Sequence, residues 1–155
     1  MKSDYLKYWR VVRYYVKAKY GISQADLEFL LFLYSESYFS KDKFREFDKL
    51  ISWDRHRFDR LRQEGWIGVF RPRKGKRKAL YELTYKSTRM IQSVYKKLNG
   101  DEIPTDLGNN PLFYKNVKST DKIYRNMILQ MNEYVRKNNK EKRMKPQTTT
   151  TTSLS

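Results

Sequence analysis

The stretch from Phe44 to Thr84 limits the fold most. It holds a polar, arginine-rich helix candidate, then Gly65-Trp66-Ile67, a basic loop, and the run Ala79-Leu80-Tyr81-Glu82-Leu83-Thr84. The loop, Arg71-Pro72-Arg73-Lys74-Gly75-Lys76-Arg77-Lys78, is basic at six of eight positions. Short apolar runs flank it, Trp66 to Phe70 and Ala79 to Leu83. Both are rich in β-formers, and Pro72 and Gly75 punctuate the stretch between them, which predicts a β-hairpin with a long charged tip. A helix feeding directly into such a hairpin reads as a winged helix, with the helix for a groove and the tip for the neighbouring backbone. The alternative is a helix and a hairpin whose charges merely solvate them. That both elements carry the same sign favours an anionic partner.

The charge of the whole chain points the same way. Its 155 residues carry a net charge of +17, with a pI near 10.0. The partner this implies is nucleic acid or an acidic membrane surface. The length suits one domain with a real core. Hydrophobic content of 39% is low and aromatic content of 15% is high, so Tyr and Phe supply much of that core. The absence of cysteine excludes disulfides and thiolate metal sites. A single histidine leaves the usual zinc sites and a Ser-His-Asp triad without their parts. There is no glycine-rich phosphate loop. Asp101-Glu102 is an adjacent pair whose side chains diverge, and no set of carboxylates converges as a Mg²⁺ nuclease needs. The sequence therefore reads as a non-enzyme with no metal, no cofactor and no catalytic residues. It has no run of eighteen apolar residues, and Met1 to Arg10 lacks the apolar centre of a signal peptide. The expected location is the cytoplasm, with no membrane insertion.

Hydrophobic periodicity predicts a mainly α chain. Asp4 to Tyr20 reads as an amphipathic helix with Tyr5, Trp9, Val12 and Val16 on one stripe, stopped by Gly21. Two roles fit it: a dimerisation helix, or a core helix with a solvated basic face. Ser23 to Ser37 is a second helix, with Ser23 and Asp26 spaced as a capping box. Leu27, Leu30, Leu31 and Tyr34 give its buried face, widened by Phe29, Phe32 and Leu33. Ser40 caps a short third helix from Lys41 to about Phe47, with Phe44 and Phe47 inward. Thr84 opens a fifth helix, with Ser87, Ile91, Val94 and Leu98 on one face and Gly100 after its end. Asp101 to Asn116 is a long connection that Ile103, Leu107, Leu112, Phe113 and Tyr114 can pin. Asp121 caps a sixth helix whose seam is Ile123, Met127, Met131 and Tyr134, thickened by Ile128 and Val135. Residues 139–155 read as a disordered basic and Thr-rich tail.

The fourth helix is the candidate reader of nucleic acid. Asp48 and Ser52 compete as its cap. Ser52 is preferred, because Trp53 and Asp54 then fall in the first turn, where Asp suits the dipole. Phe58 and Leu61 anchor it inward. The exposed side then offers Trp53, Arg55, His56, Arg57 and Arg60, of which the arginines suit guanine O6 and N7 or a phosphate. With Ser52 and the loop residues Arg71, Arg73, Lys74, Lys76, Arg77 and Lys78, these form the expected DNA-binding set.

Asp59-Arg60-Leu61, Gly65-Trp66-Ile67, Lys76-Arg77 and Leu83-Thr84 together resemble the winged helix of the multiple antibiotic resistance regulator (MarR) family. The resemblance spans roughly residues 5 to 99. It implies a recognition helix ending in Leu61, a first wing strand from Gly65-Trp66-Ile67, and a second ending in Leu83-Thr84. Family wings carry Asp-x-Arg, with the Arg in the minor groove. Arg77 stands at the Arg position, and Gly75 stands where the Asp would be. First and last helices interlock two subunits in such proteins, which assigns Tyr5, Trp9, Val12, Val16, Ile123, Met127, Met131 and Tyr134 to a homodimer. A helix packing on its own domain would show the same seam.

The implied organisation is an N-terminal dimerisation helix (1–22), a winged helix-turn-helix (23–99), a connection with a C-terminal dimerisation helix (100–138), and the tail (139–155). The implied function is sequence-specific double-stranded DNA binding by a transcriptional regulator. The resemblance also implies a small phenolic effector between the DNA-binding and dimer parts. No residue specifies that pocket, and a constitutive binder fits the sequence equally. Abundant Lys, Tyr and Asn with little Ala and Gly suit an AT-rich, viral or mobile-element genome. From that follows the alternative of a non-enzymatic architectural or virion-associated protein on the same scaffold. An RNA-binding winged helix stacking bases on Trp53 or Tyr81, and a peripheral membrane protein, are the remaining readings.

Overall fold

A computed structural model describes residues 4–144. Among them six α-helices, one hairpin and a short 3-10 helix follow in the order α1 (Tyr5–Tyr20), α2 (Gln24–Tyr34), α3 (Lys41–Ile51), α4 (Arg57–Gln63), β1 (Ile67–Arg71), β2 (Leu80–Leu83), α5 (Tyr85–Leu98), the 3-10 turn (Pro111–Phe113) and α6 (Ser119–Met144). The protein is thus mainly α with a small two-stranded antiparallel sheet. Helices α3 and α4, followed at once by the hairpin, make up a winged helix-turn-helix.

Local chemistry sets the helix ends. Ser23, Ser40 and Thr84 each accept a hydrogen bond from the backbone N–H three residues on, at 3.2, 3.2 and 3.4 Å. Gly21 stops α1 with φ +66°, a left-handed geometry that other residues adopt at a cost. The core gathers Val11, Val12, Tyr15 and Val16 of α1, Leu27, Phe29, Leu30 and Leu33 of α2, and Met90, Ile91 and Val94 of α5. Trp66, at the base of the hairpin, is buried among them.

Helix α6 runs back along α1. Tyr14 stacks on Tyr124 with ring centroids 3.7 Å apart and donates its hydroxyl hydrogen to Asp121, and Tyr8 meets Tyr134 at 6.3 Å. The connection before α6 is pinned by buried amides. Asn132 both accepts from the Ile103 N–H and donates to its carbonyl, each at 2.8 Å. Asn110 accepts from Leu112 N–H at 3.0 Å and donates to Pro104 at 2.8 Å. These bonds satisfy backbone groups that a buried loop would otherwise leave unpaired. Ile103 and Leu112 are buried as predicted, while Leu107 and Tyr114 lie at the surface.

Several sequence expectations need correction. Helix α3 continues to Ile51 instead of ending near Phe47, so Ser52 is its extended C-cap and not the start of α4. Helix α4 begins only at Arg57. Helix α2 stops at Tyr34, and Phe32 and Tyr34 lie on its exposed side. The sixth helix starts at Ser119, two residues before the expected cap Asp121, which instead receives the Tyr14 hydroxyl. It also runs through Met144, so residues 139–144 of the expected tail are helical. Lys, Glu and Arg are good helix formers, and Lys142 and Arg143 in the last turn complement the helix dipole. Residues 145–155 of that tail lie outside the described residues.

Candidate nucleic-acid interface

Helix α4 is short and polar, and ion pairs as well as apolar contacts hold it. Phe58 and Leu61 point inward, and Phe58 packs edge-on against Phe44 and Tyr81, with centroids 5.0 and 4.9 Å apart. Between them and the other helices lies Arg57, with a side chain only 2% exposed. Its Nε donates to Asp26 of α2 at 3.0 Å, one terminal nitrogen donates to Asp48 of α3 and to the Ser52 carbonyl, and the other reaches Ser52 Oγ at 2.9 Å. Arg60 closes the same cluster on the outside. It meets both Asp26 carboxylate oxygens, at 3.0 and 2.8 Å, and Asp54 at 2.9 Å. The bond to Arg60 holds the Asp54 carboxyl below its ordinary value, and the bonds to Asp26 and Asp54 push the Arg60 guanidinium up. Asp54 also accepts from the His56 N–H at 3.0 Å, so it closes the turn where Ser52 was expected to act.

The expected exposed set on this helix is therefore divided. Trp53 (72% exposed), Arg55 and His56 lie at the surface before the helix begins. Arg57 does not: it lies one turn before Leu61 on the inward face of α4, where two carboxylates from other helices neutralise it. Arg60 is half-buried and turned toward Asp26 and Asp54. Ser52 spends its hydroxyl and carbonyl on Arg57. The outward positions within α4 are Asp59, Arg62 and Gln63, none of which was in the expected set. The 3.6-residue period, counted from the inward Phe58 and Leu61, points to them. A groove of about 500 Å³ opens between α3 and α4, lined by Phe44, Phe58 and Trp53 and bordered by Lys41, Arg45 and Lys49.

The wing is a tight hairpin with external ties. Ile67 faces Leu83, Gly68 faces Glu82, Val69 faces Tyr81 and Arg71 faces Leu80, with a bulge at Phe70. At the tip, Lys74 and Arg77 exchange backbone hydrogen bonds at 3.2 and 3.0 Å around Gly75-Lys76. Gly75 has φ +60°, the geometry a glycine-first two-residue turn requires. The residue that replaces the family's Asp is thus the one that closes the turn. Lys78 pairs with Asp42 at the start of α3, and this lowers the Asp42 pKa. Phe39 and Tyr81 exchange backbone bonds at 2.9 and 2.8 Å, and Tyr38 stacks on Phe70 at 3.8 Å. At the other end, Thr84 and Ser87 hydroxyls donate to the Gly65 and Trp66 carbonyls, both at 2.6 Å.

Arg73, Lys74, Lys76 and Arg77 are all exposed on this frame, and among the described residues none has a carboxylate partner. Arg71 is half-buried and donates to the Lys78 carbonyl at 3.3 Å. The candidate interface thus has a held helix beside a turn that presents four exposed cations, of which Arg73 also donates to the Gly75 carbonyl at 3.5 Å. Among the described residues, no three His, Asp or Glu side chains are grouped to hold a metal ion, and no helix is long and apolar enough to cross a membrane.

The residues expected at a dimer contact also divide. Val12, Val16 and Met131 are buried within the single chain, and Trp9, Met127 and Tyr134 are half-buried. Helix α1 packs on both α5 and α6, which widens its buried arc to include Val11 and Tyr15. Tyr5 and Ile123 remain exposed, as do Leu6 of α1 and Leu129 of α6.

No family model and no curated protein sequence matches the chain. A solved structure described as that of disulfide-formed AbfR is similar at a TM-score of 0.44 and 19% identity, over 83% of this chain and 80% of that one.

Proposed function

We propose that this chain is a non-enzymatic, sequence-specific double-stranded DNA-binding transcriptional regulator of MarR-like winged-helix type. The observation that carries the proposal is the wing tip. Arg73, Lys74, Lys76 and Arg77 are exposed and, among the described residues, without carboxylate partners, beside a helix whose own orientation is fixed by buried pairs. Cations left free on a rigid turn suit phosphates and a narrow minor groove.

In this reading α4 enters the major groove, with Arg55, His56 and Arg62 toward bases or phosphates. The wing follows the backbone and aims Arg77 at the flanking minor groove. Two copies join through α1 and α6, whose exposed Tyr5, Leu6, Ile123 and Leu129 would be covered. Residues 1–22 and 100–138 then serve assembly, and residues 23–99 serve DNA. The half-sites lie one helical turn apart, about 34 Å.

Selection of bound duplexes from a random pool, at moderate salt with the full-length protein, tests this. An inverted repeat is the expected result. Recovery of nothing beyond bulk DNA overturns it and moves the weight to an architectural or virion role.

A further inference from the structure

The side of α4 that points most directly away from the core carries a carboxylate. Arg57, Phe58 and Leu61 are buried and Arg60 turns toward Asp26. At about 100° per residue, the direction opposite these four belongs to Asp59, with Arg62 and Gln63 on either side. Asp59 is exposed, and among the described residues no hydrogen bond or ion pair engages it. The neighbouring carboxylates behave otherwise: Asp48 and Asp54 are both taken up by arginines.

In a chain of net charge +17, a free carboxylate at the centre of this face repels every phosphate it approaches. The DNA backbone offers nothing in return, since its phosphates and deoxyriboses have no hydrogen-bond donor there. The donors in the major groove are the amino groups of bases. Adenine sets its N7 acceptor beside its N6 amino group, which a carboxylate avoids. Cytosine presents the N4 amino group alone.

We infer that Asp59 is a specificity-determining residue that accepts a hydrogen bond from cytosine N4 in the major groove. This rests on the reading of α4 as the groove-entering helix. Asp59 lowers affinity for all DNA and restores it only where a cytosine stands opposite. The same geometry makes Arg62 and Gln63 its neighbours on adjacent bases or phosphates.

The test compares duplexes selected from one random pool by the wild type, Asp59→Ala and Asp59→Asn, all full length. Asp59 is exposed and unpaired, so both variants should fold as the wild type does. The expected wild-type motif demands cytosine at one position of each half-site. Asp59→Ala should accept any base there, with discrimination reduced about tenfold, while binding random duplex at least as tightly. Asp59→Asn should move the preference toward adenine, whose N6 and N7 an amide can engage together. A wild-type motif that reappears unchanged in Asp59→Ala, with affinity for cognate and random duplex raised alike, overturns the assignment alone. A wild-type pool without any motif overturns the DNA-reading function and the assignment with it.

Discussion

Arg57 and Arg77 carry the same guanidinium on adjoining elements of one motif, in opposite settings. Arg57 is sealed between α2, α3 and α4, with Asp26 and Asp48 as counter-charges and Ser52 completing its donors. Arg77 stands at the tip of a hairpin, exposed and, among the described residues, without a carboxylate partner. The contrast teaches that charge in this motif has two separable uses. The buried pairs orient the helix and are spent within the fold. The four cations at the wing tip, Arg73, Lys74, Lys76 and Arg77, make no ion pair among the described residues and are available to an anion. Net charge hides this division, since both residues count equally toward +17.

The strongest way to break the comparison is Arg57→Ala. It leaves the buried Asp48 without a counter-charge and Asp26 with Arg60 alone, and removing one partner of a buried pair costs about 3–5 kcal/mol. Urea denaturation should show that loss, and any fall in DNA binding should follow the fraction unfolded. Full stability in this variant would mean that Arg57 is not the element that holds α4. The reverse experiment neutralises the wing with Arg73, Lys74, Lys76 and Arg77 all changed to Gln. Stability should stay unchanged in the same denaturation series. The slope of log affinity against log salt should become shallower by roughly 0.9 for each phosphate that the wing no longer neutralises. An unaltered slope would remove the wing from the interface.

The hairpin is legible in the sequence, and the setting of α4 is not. Two runs of β-formers around a glycine-bearing turn define a wing whatever else the chain does, and Thr84 before a helical period marks the start of α5. These are local signals. The fate of Arg57 depends on Asp26 and Asp48, which arrive from other helices and look like a capping-box acid and a helix-end charge. A lone charged residue is ordinarily assigned to solvent, so its charge sets Arg57 on the outer face although it lies one turn before Leu61 on the inner one. Ser52 misleads for a related reason. It has the chemistry of an N-cap, but Asp54 is better placed to take the His56 N–H and the Arg60 guanidinium.

A smaller effect sharpens the account of the wing. Gly75→Ala meets no neighbouring atom, since nothing lies within 4 Å of the added carbon. Its cost is the left-handed backbone alone, about 1 kcal/mol. Because the tip is closed by this turn and not by an internal Asp–Arg pair, DNA affinity should fall in Gly75→Ala without any change of charge. The salt slope should fall much less than in the four-cation variant. Equal affinity in Gly75→Ala and wild type would mean that the tip needs no fixed geometry to bind.

The contrast between spent and free polar groups recurs, at a lower energy, where α1 meets α6. Tyr14 gives its proton to a hydrogen bond with Asp121, and this bond, burial and the nearby negative charge together push its pKa up to about 12. The folded state thus favours the neutral phenol more than the unfolded state does, where the value is 10.0. Stability from this group is fully present below pH 10.0 and is lost as pH rises toward about 12. At pH 8 the Tyr14→Phe variant should be less stable than wild type by about 1 kcal/mol, the usual net worth of such a bond. At pH 11 the gap between the two proteins should be smaller. Other tyrosines ionise in the same range, so the wild type will weaken in any case, and the narrowing of the gap isolates Tyr14. Phenylalanine keeps the stack on Tyr124 and loses only the hydroxyl, so a gap of constant size would mean that the Tyr14 proton is not what holds Asp121, and would leave Asp121 as a surface charge.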